Sequence, residues 1–280
     1  MPAPTPTKRT AIVEQAVWLV AAAWGWRPRI GPLQAGAGAG RFQHSEWTAL
    51  LGRFVQNAAI DYATMRRVRR LVEVYLHRLA EDDPERFADA DDQLAFYLNA
   101  YNAIAIHQVL LHYPVASIRA IPGARTRPYP VGRRNVSLQT LHGSILRAFG
   151  DPRIHAAIST TARGGAQIQP QAFTGSNLQR ALDTAMRRLL HDNAHGARLD
   201  PATNTLYLSS IFRSFGGDFL QPQAMPGPLG LLAGWRHRAG LVPLLRPYMP
   251  PDLAIAMQQT PPQVRFLPYD WTINDRLFNA

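Results

Sequence analysis

The chain has 280 residues, 46% of them hydrophobic and 18% charged, an ordinary globular composition with enough length for one large domain or two small ones. It contains no cysteine, which excludes disulfides, thiolate nucleophiles and cysteine-ligated zinc. Its net charge is +11, yet of 30 basic residues only Lys8 is lysine and the arginines are scattered, the bias of a GC-rich coding sequence rather than the clustered footprint of a nucleic-acid binder.

Lys8 and Arg9 precede an apolar run from Ala16 to Trp26, and small residues follow at Ala35 to Gly40. Positive, apolar, then small residues is the order of an export signal. The run is shorter than the ~20 residues of a membrane span, and Glu14 and Gln15 interrupt its start. Residues 1–40 are therefore read as a signal-like or anchor segment with a Gly/Ala linker, and residues 41–280 as the domain. No other stretch is read as a membrane span. Export to the cell envelope is the expected localisation, with the cytoplasm as the alternative; membrane association is expected only through this segment, if it is uncleaved.

The first predicted helix of the domain runs from about Ser45 to Asn57, with Trp47, Leu50, Leu51, Phe54 and Val55 on one face. In the next, Met65, Val68, Leu71, Val72, Tyr75, Leu76 and Leu79 form one expected buried stripe, which leaves Arg66, Arg67, Arg69 and Arg70 on a solvated face. No aromatic residues interleave with these arginines as a base-stacking platform requires, so a nucleic-acid partner is not favoured. Asp82-Asp83-Pro84 marks a break and a new helix start. From Asp92 to His112 the pattern is apolar nearly all round, which predicts a central buried helix, and Pro114 lies just past its end.

Residues 119–136, rich in Pro, Gly and Arg, are expected to form a long loop or irregular hairpin. Ser137 is a fitting N-cap for a helix from Leu138 to Phe149, stopped by Gly150. Ile154 to Thr160 reads as a short buried strand, then a loop from Arg163 to Gln171, then a helix from about Ser176 to His191. Thr205–Ser209 and Val264–Leu267 are further predicted strands, and prolines break the C-terminal third into short helices. Many helices with few, short strands predict an α+β fold: a mostly helical single domain around a small sheet.

One segment is distinctive: Phe96-Tyr97-Leu98-Asn99-Ala100-Tyr101-Asn102-Ala103, followed by His112-Tyr113-Pro114-Val115 and Ser117-Ile118. It resembles the signature of the domain-of-unknown-function family 547 (DUF547). Further blocks keep the family's order: Ile145-Leu146-Arg147, Asp151-Pro152-Arg153-Ile154-His155, Ala172-Phe173-Thr174-Gly175, Asp218-Phe219, and Tyr269-Asp270-Trp271 with Asn274-Asp275. The resemblance covers roughly residues 42–277 and implies one compact domain, often exported in bacteria, with no established activity. A plant arrangement behind a leucine-zipper segment hints at partner binding.

The departures from the family pattern carry chemical meaning. Members typically place two cysteines after the matched His; aligned on Ala172-Phe173, those positions are Thr160 and Gly165 here. They also place Glu-His shortly before Ile-Leu-Arg, where this chain has His142 and Gly143. A His, a Cys and a Glu on one loop would supply base, nucleophile and orienter. This chain keeps His155 and offers Thr160, whose hydroxyl is scarcely ionised near neutral pH. The candidate catalytic set is thus His155, Thr160 and His142, set against a His155 that is simply a buried strand residue bonded to backbone.

His142 with His155 lacks a third metal ligand, and His191, Asp192 and His195 read better as a helix end than as a metal site, so neither a metal nor another cofactor is expected. Asn99 and Asn102, inside the buried helix, either fix the loop carrying residues 160–170 or line a pocket, and Asp270 either orients a histidine or caps a turn. The expected function is a binding or structural module of the cell envelope, non-catalytic or degenerate, with a protein or envelope component as partner. The alternatives are a hydrolase or transferase using His155 with Thr160 or a bound water, and a basic nucleic-acid-associated protein.

Overall fold

The computed structural model describes residues 40–220 and 234–278, so the signal-like segment and most of its Gly/Ala linker lie outside the described residues. The fold is α+β and mostly helical, with three small sheets. The order begins α1 (Ser45–Phe54), β1 (Val55–Gln56), β2 (Ala59–Ile60), α2 (Tyr62–Met65), α3 (Arg69–Glu81) and α4 (Ala90–His112). It continues with β3 (Tyr129–Val131), β4 (Arg134–Val136), α5 (Leu138–Thr140), α6 (Ile154–Ala157), α7 (Leu178–His191), β5 (Ala197–Asp200) and β6 (Thr205–Leu208). It closes with α8 (Ser210–Phe219), α9 (Gly234–Leu245), α10 (Pro251–Gln259) and β7 (Gln263–Phe266).

The all-apolar helix is the centre, as its pattern predicts. Asp89 caps α4 by accepting from Asp91 N, and every residue from Gln93 to Leu110 is buried. By length and composition alone α4 would cross a membrane, which corrects the reading that no stretch beyond the N-terminus qualifies; 94% of its apolar window is enclosed by protein, so it is the core helix. On one side it packs Phe96 edge-on to Phe42 and Phe87, and Tyr75 of α3 stacks flat on Trp47 of α1 at 5.2 Å.

In α3, Val72, Tyr75, Leu76 and Leu79 are buried, but Leu71 is 53% exposed, against the expectation. The reason is angular: Val72, Tyr75, Leu76 and Leu79 follow i, i+3, i+4, i+7, and Leu71 lies ~100° round the helix from Val72, past the Tyr75 edge of that stripe. The predicted helix 138–149 is continuous but not uniform: α5 runs into a π turn (Leu141–Ile145) and a 3₁₀ turn (Leu146–Phe149). It ends at Gly150, whose φ of 75° lets the chain turn left-handed.

The predicted strand 154–160 is absent. Ile154–Ala157 forms one helical turn instead, because Asp151 accepts from Arg153 N and Pro152 pre-sets the turn. An apolar run of this length does not distinguish a buried helical turn from a buried strand. The chain then extends through Ile158 into a loop. The three-stranded sheet pairs β5 with β6 antiparallel (Ala197↔Leu208) and β6 with β7 parallel (Thr205↔Gln263).

The C-terminal segment after β7 straps that loop down. Arg163 N donates to Thr272 O, Gly164 N to Asp270 O, and Asn274 N to Thr161 O, while Ile60 N donates to Asn274 O. The 160s loop is therefore held between α4 beneath it and the C-terminal strap beside it.

Candidate functional site

Two polar regions hang from the loop 158–166. The first is closed. His155, buried on α6, places Nε2 at 2.9 Å from Asp218 Oδ2 of α8, and its Nδ1 at 3.0 Å from His142 Nε2 on the π turn. Arg147 grips the same carboxylate with two bonds, Nε to Oδ2 at 2.7 Å and Nη2 to Oδ1 at 2.6 Å. Because an ionised Asp218 only accepts, His155 carries its proton on Nε2; its Nδ1 then accepts the proton of His142 Nε2. Phe215 stacks flat on the His155 ring at 4.3 Å, and Tyr101 meets His142 edge-on.

The electrostatics follow from the burial. Desolvation lowers His155, and the hydrogen bond and charge of Asp218 offset this only in part. Desolvation, then the proximity of His155 and Arg147, holds His142 well below the usual imidazole range. Burial works to raise the Asp218 carboxyl, but hydrogen bonds from His155 and Arg147 and their charges outweigh it and hold the carboxyl well below the usual carboxylate range. The resting chain is two neutral imidazoles, a carboxylate and a guanidinium.

Thr160 does not join this chain. Its hydroxyl bonds the Tyr269 hydroxyl rather than His155. Gly165 sits against both: a Cβ there would lie 2.5 Å from Thr160 Oγ1 and 2.7 Å from Tyr269 OH, so a side chain would force this hydroxyl pair to shift. Thr160 and Gly165, the two positions that the resemblance aligns with cysteines, are thus neighbours in space, filled here by a hydroxyl pair and a bare backbone. Between them Thr161 adopts φ 60°, a left-handed conformation that a β-branched residue rarely takes. Its N–H donates to Ser159 Oγ and its hydroxyl to Thr160 O, which hold the turn.

Asn102 clamps the start of this loop from below, and Asn99 clamps the chain beyond it at Phe173. Asn102 donates to Ala157 O and accepts from Ser159 N; Asn99 donates to Phe173 O and accepts from Phe173 N. Each amide satisfies a backbone donor and a backbone acceptor, which is how a polar side chain is accommodated in an apolar helix. Neither asparagine lines the open cleft.

That cleft is the second region, a volume of about 560 Å³ within the range of small-ligand sites. Its walls include Ala162, Arg163 and Gly165 of the loop and Arg188, His191 and His195 around the end of α7. Asp192 closes the turn after α7: Oδ1 accepts from Ala194 N and His195 N, and Oδ2 from Gln167 Nε2. His195 lies between two carboxylates, Nδ1 3.4 Å from Asp192 Oδ2 and Nε2 3.8 Å from Asp270 Oδ2. Asp270 therefore faces His195 rather than His155, and its Oδ1 caps the turn by accepting from Thr272 N. Among the described residues no group of three His, Asp or Glu side chains has the geometry to hold a metal ion.

The structure brings His142 and His155 together, leaves Thr160 hydrogen-bonded to neither, and moves His155 from a strand bonded to backbone onto a helical turn bonded to side chains. Sequence reasoning passed over Asp218, Arg147 and Tyr269 as chemical groups. The signal was present: all three stand in blocks that carry the resemblance, and a buried histidine demands a polar partner. With 63 residues between His155 and Asp218, no spacing rule points from one to the other.

In comparison with known families, residues 85–190 fit the model of a family described as a protein of unknown function, DUF547. The resemblance read from the sequence holds over that span, which includes His142, Arg147, His155, Thr160, Gly165 and Arg188 and stops short of Asp218 and Tyr269. No curated protein and no solved structure matches the chain.

Proposed function

We propose that this chain is a binding module in which the residues suggestive of catalysis have become a structural brace, and that the open cleft takes the ligand. One observation carries this reading: both ring nitrogens of His155 are engaged inside the protein, by His142 and Asp218, and its side chain is wholly buried. An imidazole in that state has no nitrogen within reach of a substrate proton. The hydroxyl at the aligned cysteine position is committed to Tyr269, so base and nucleophile do not meet.

The test is a turnover screen of the purified full chain against chromogenic carboxylic and phosphoric esters, beside His155→Gln and Thr160→Val. No hydrolysis that either variant lowers is the expected result. Turnover lost in His155→Gln, with circular dichroism unchanged, would overturn the proposal.

A second reading keeps an enzyme: a hydrolase in which water is activated at His142. It is favoured by the position of His142, half-buried at the outer end of the Asp218–His155 chain on a π turn, an irregularity frequent at functional sites. In the same screen it predicts turnover lost in His142→Gln and kept in Thr160→Val. For localisation we propose the cell envelope, on the order of charged, apolar and small residues in 1–40; an intact N-terminus in a cytoplasmic fraction would sink that part.

A further inference from the structure

The cleft has a distinct charge arrangement. Arg188, half-buried on its wall, has no hydrogen-bond or ion-pair partner among the described residues. A guanidinium partly withdrawn from water without a carboxylate is costly to keep. Its neighbours on α7 show the contrast, since Asp183 on the same helix is taken by Arg153 at 2.6 Å. Arg163 lines the same cleft from the loop, and the imidazoles of His191 and His195 add further polar groups.

The carboxylate in the wall does not answer Arg188. Asp192 turns inward: two backbone N–H groups and the Gln167 amide occupy its oxygens, and His195 Nδ1 is at 3.4 Å. The end of α7 is likewise closed, because Gly196 N and Ala197 N donate to Asp192 O. The negative groups are thus satisfied within the protein, while the Arg188 cation faces the cleft.

We infer that this cleft binds a small ligand through an oxyanion, a carboxylate or phosphate group held by Arg188 with Arg163. A planar guanidinium fits either oxyanion through paired hydrogen bonds. The loop backbone at Ala162 to Gly165, held by the C-terminal strap, gives the cleft one rigid wall. This inference rests on the binding-module reading and names the ligand chemistry for it.

The test titrates the full chain with inorganic phosphate and, separately, with citrate, by calorimetry and by the amide shifts of residues 162–165 and 188–195. Saturable binding of either probe with shifts at those amides is expected, weakened roughly tenfold in Arg188→Gln, the factor one charge-assisted hydrogen bond supplies. Preference between the probes tells a phosphate from a carboxylate source. Ala194→Glu, which adds a carboxylate at the exposed rim, is expected to abolish binding of both. Absence of saturable binding, or equal affinity in the parent chain and both variants, overturns the inference. A chain without turnover and without anion binding sinks this inference alone, whereas His155-dependent turnover sinks the binding-module reading whatever the cleft does.

Discussion

The two polar regions on the loop 158–166 use similar residues to opposite ends. Around His155, two imidazoles, a carboxylate and a guanidinium satisfy one another, and aromatic rings seal them. Around His195, a comparable set of His, Asp and Arg leaves Arg188 facing solvent across a cleft of about 560 Å³. Polar residues by themselves do not mark a site. A closed chain contributes stability and position; an open one with an unanswered charge has capacity left for a ligand.

The largest expected effect would break the closed region. Asp218→Ala leaves Arg147 and His155 buried without their acceptor, and the expected loss is about 3–5 kcal/mol in urea unfolding. A loss under about 1 kcal/mol would mean that the chain is not a brace. Asp218→Asn, which keeps one acceptor oxygen, is expected to fall between.

The pH dependence comes next. His142 and His155 have folded-state pKa values below the ordinary imidazole value, so as pH falls below ~6.5 the unfolded chain takes up protons that the folded one does not. Stability is therefore full at neutral and higher pH and falls with acid, by up to about 1.4 kcal/mol per pH unit for each histidine. His44, lowered to about 4 by burial and then by the Arg78 charge, adds to the same trend from outside the region. Urea midpoints across acid pH are expected to decline less steeply in His142→Gln than in the parent chain, and an unchanged slope would place the acid sensitivity elsewhere.

A smaller effect probes the junction between the regions. Gly165→Ala forces a Cβ against Thr160 Oγ1 and Tyr269 OH, at an expected cost of about 1–3 kcal/mol. Removing the obstructing hydroxyl with Thr160→Ala is expected to make the double variant lose less than the sum of the singles, a coupling that a double-mutant cycle reads directly. Simple additivity would contradict the packing of these two positions.

The smallest effect on stability belongs to the open region. Arg188→Gln is expected to shift unfolding by no more than about 0.5 kcal/mol, because the side chain answers no partner among the described residues. A loss as large as that of Asp218→Ala would show that both regions serve the fold and would erase the contrast.

Much of this was legible in the sequence because it is set within a few residues of chain. The all-apolar period of 92–112 dictates a central helix, Ser137 and Gly150 bound the next one, and the cysteine-free composition excludes a thiol. The family blocks located His155 and the loop that follows it. Where local signals conflict they failed: a six- or seven-residue apolar run serves a helical turn as well as a strand, and Leu71 is apolar but lies past the edge of the buried stripe. What only the tertiary structure decided is which polar group answers which. His155 meets Asp218 63 residues on, and Thr160 meets Tyr269 109 residues on, because the C-terminal strap and α8 close over one loop. Periodicity and capping act over one or two turns of chain, whereas these pairings depend on how distant segments pack, and that packing separates a satisfied charge from one open to a ligand.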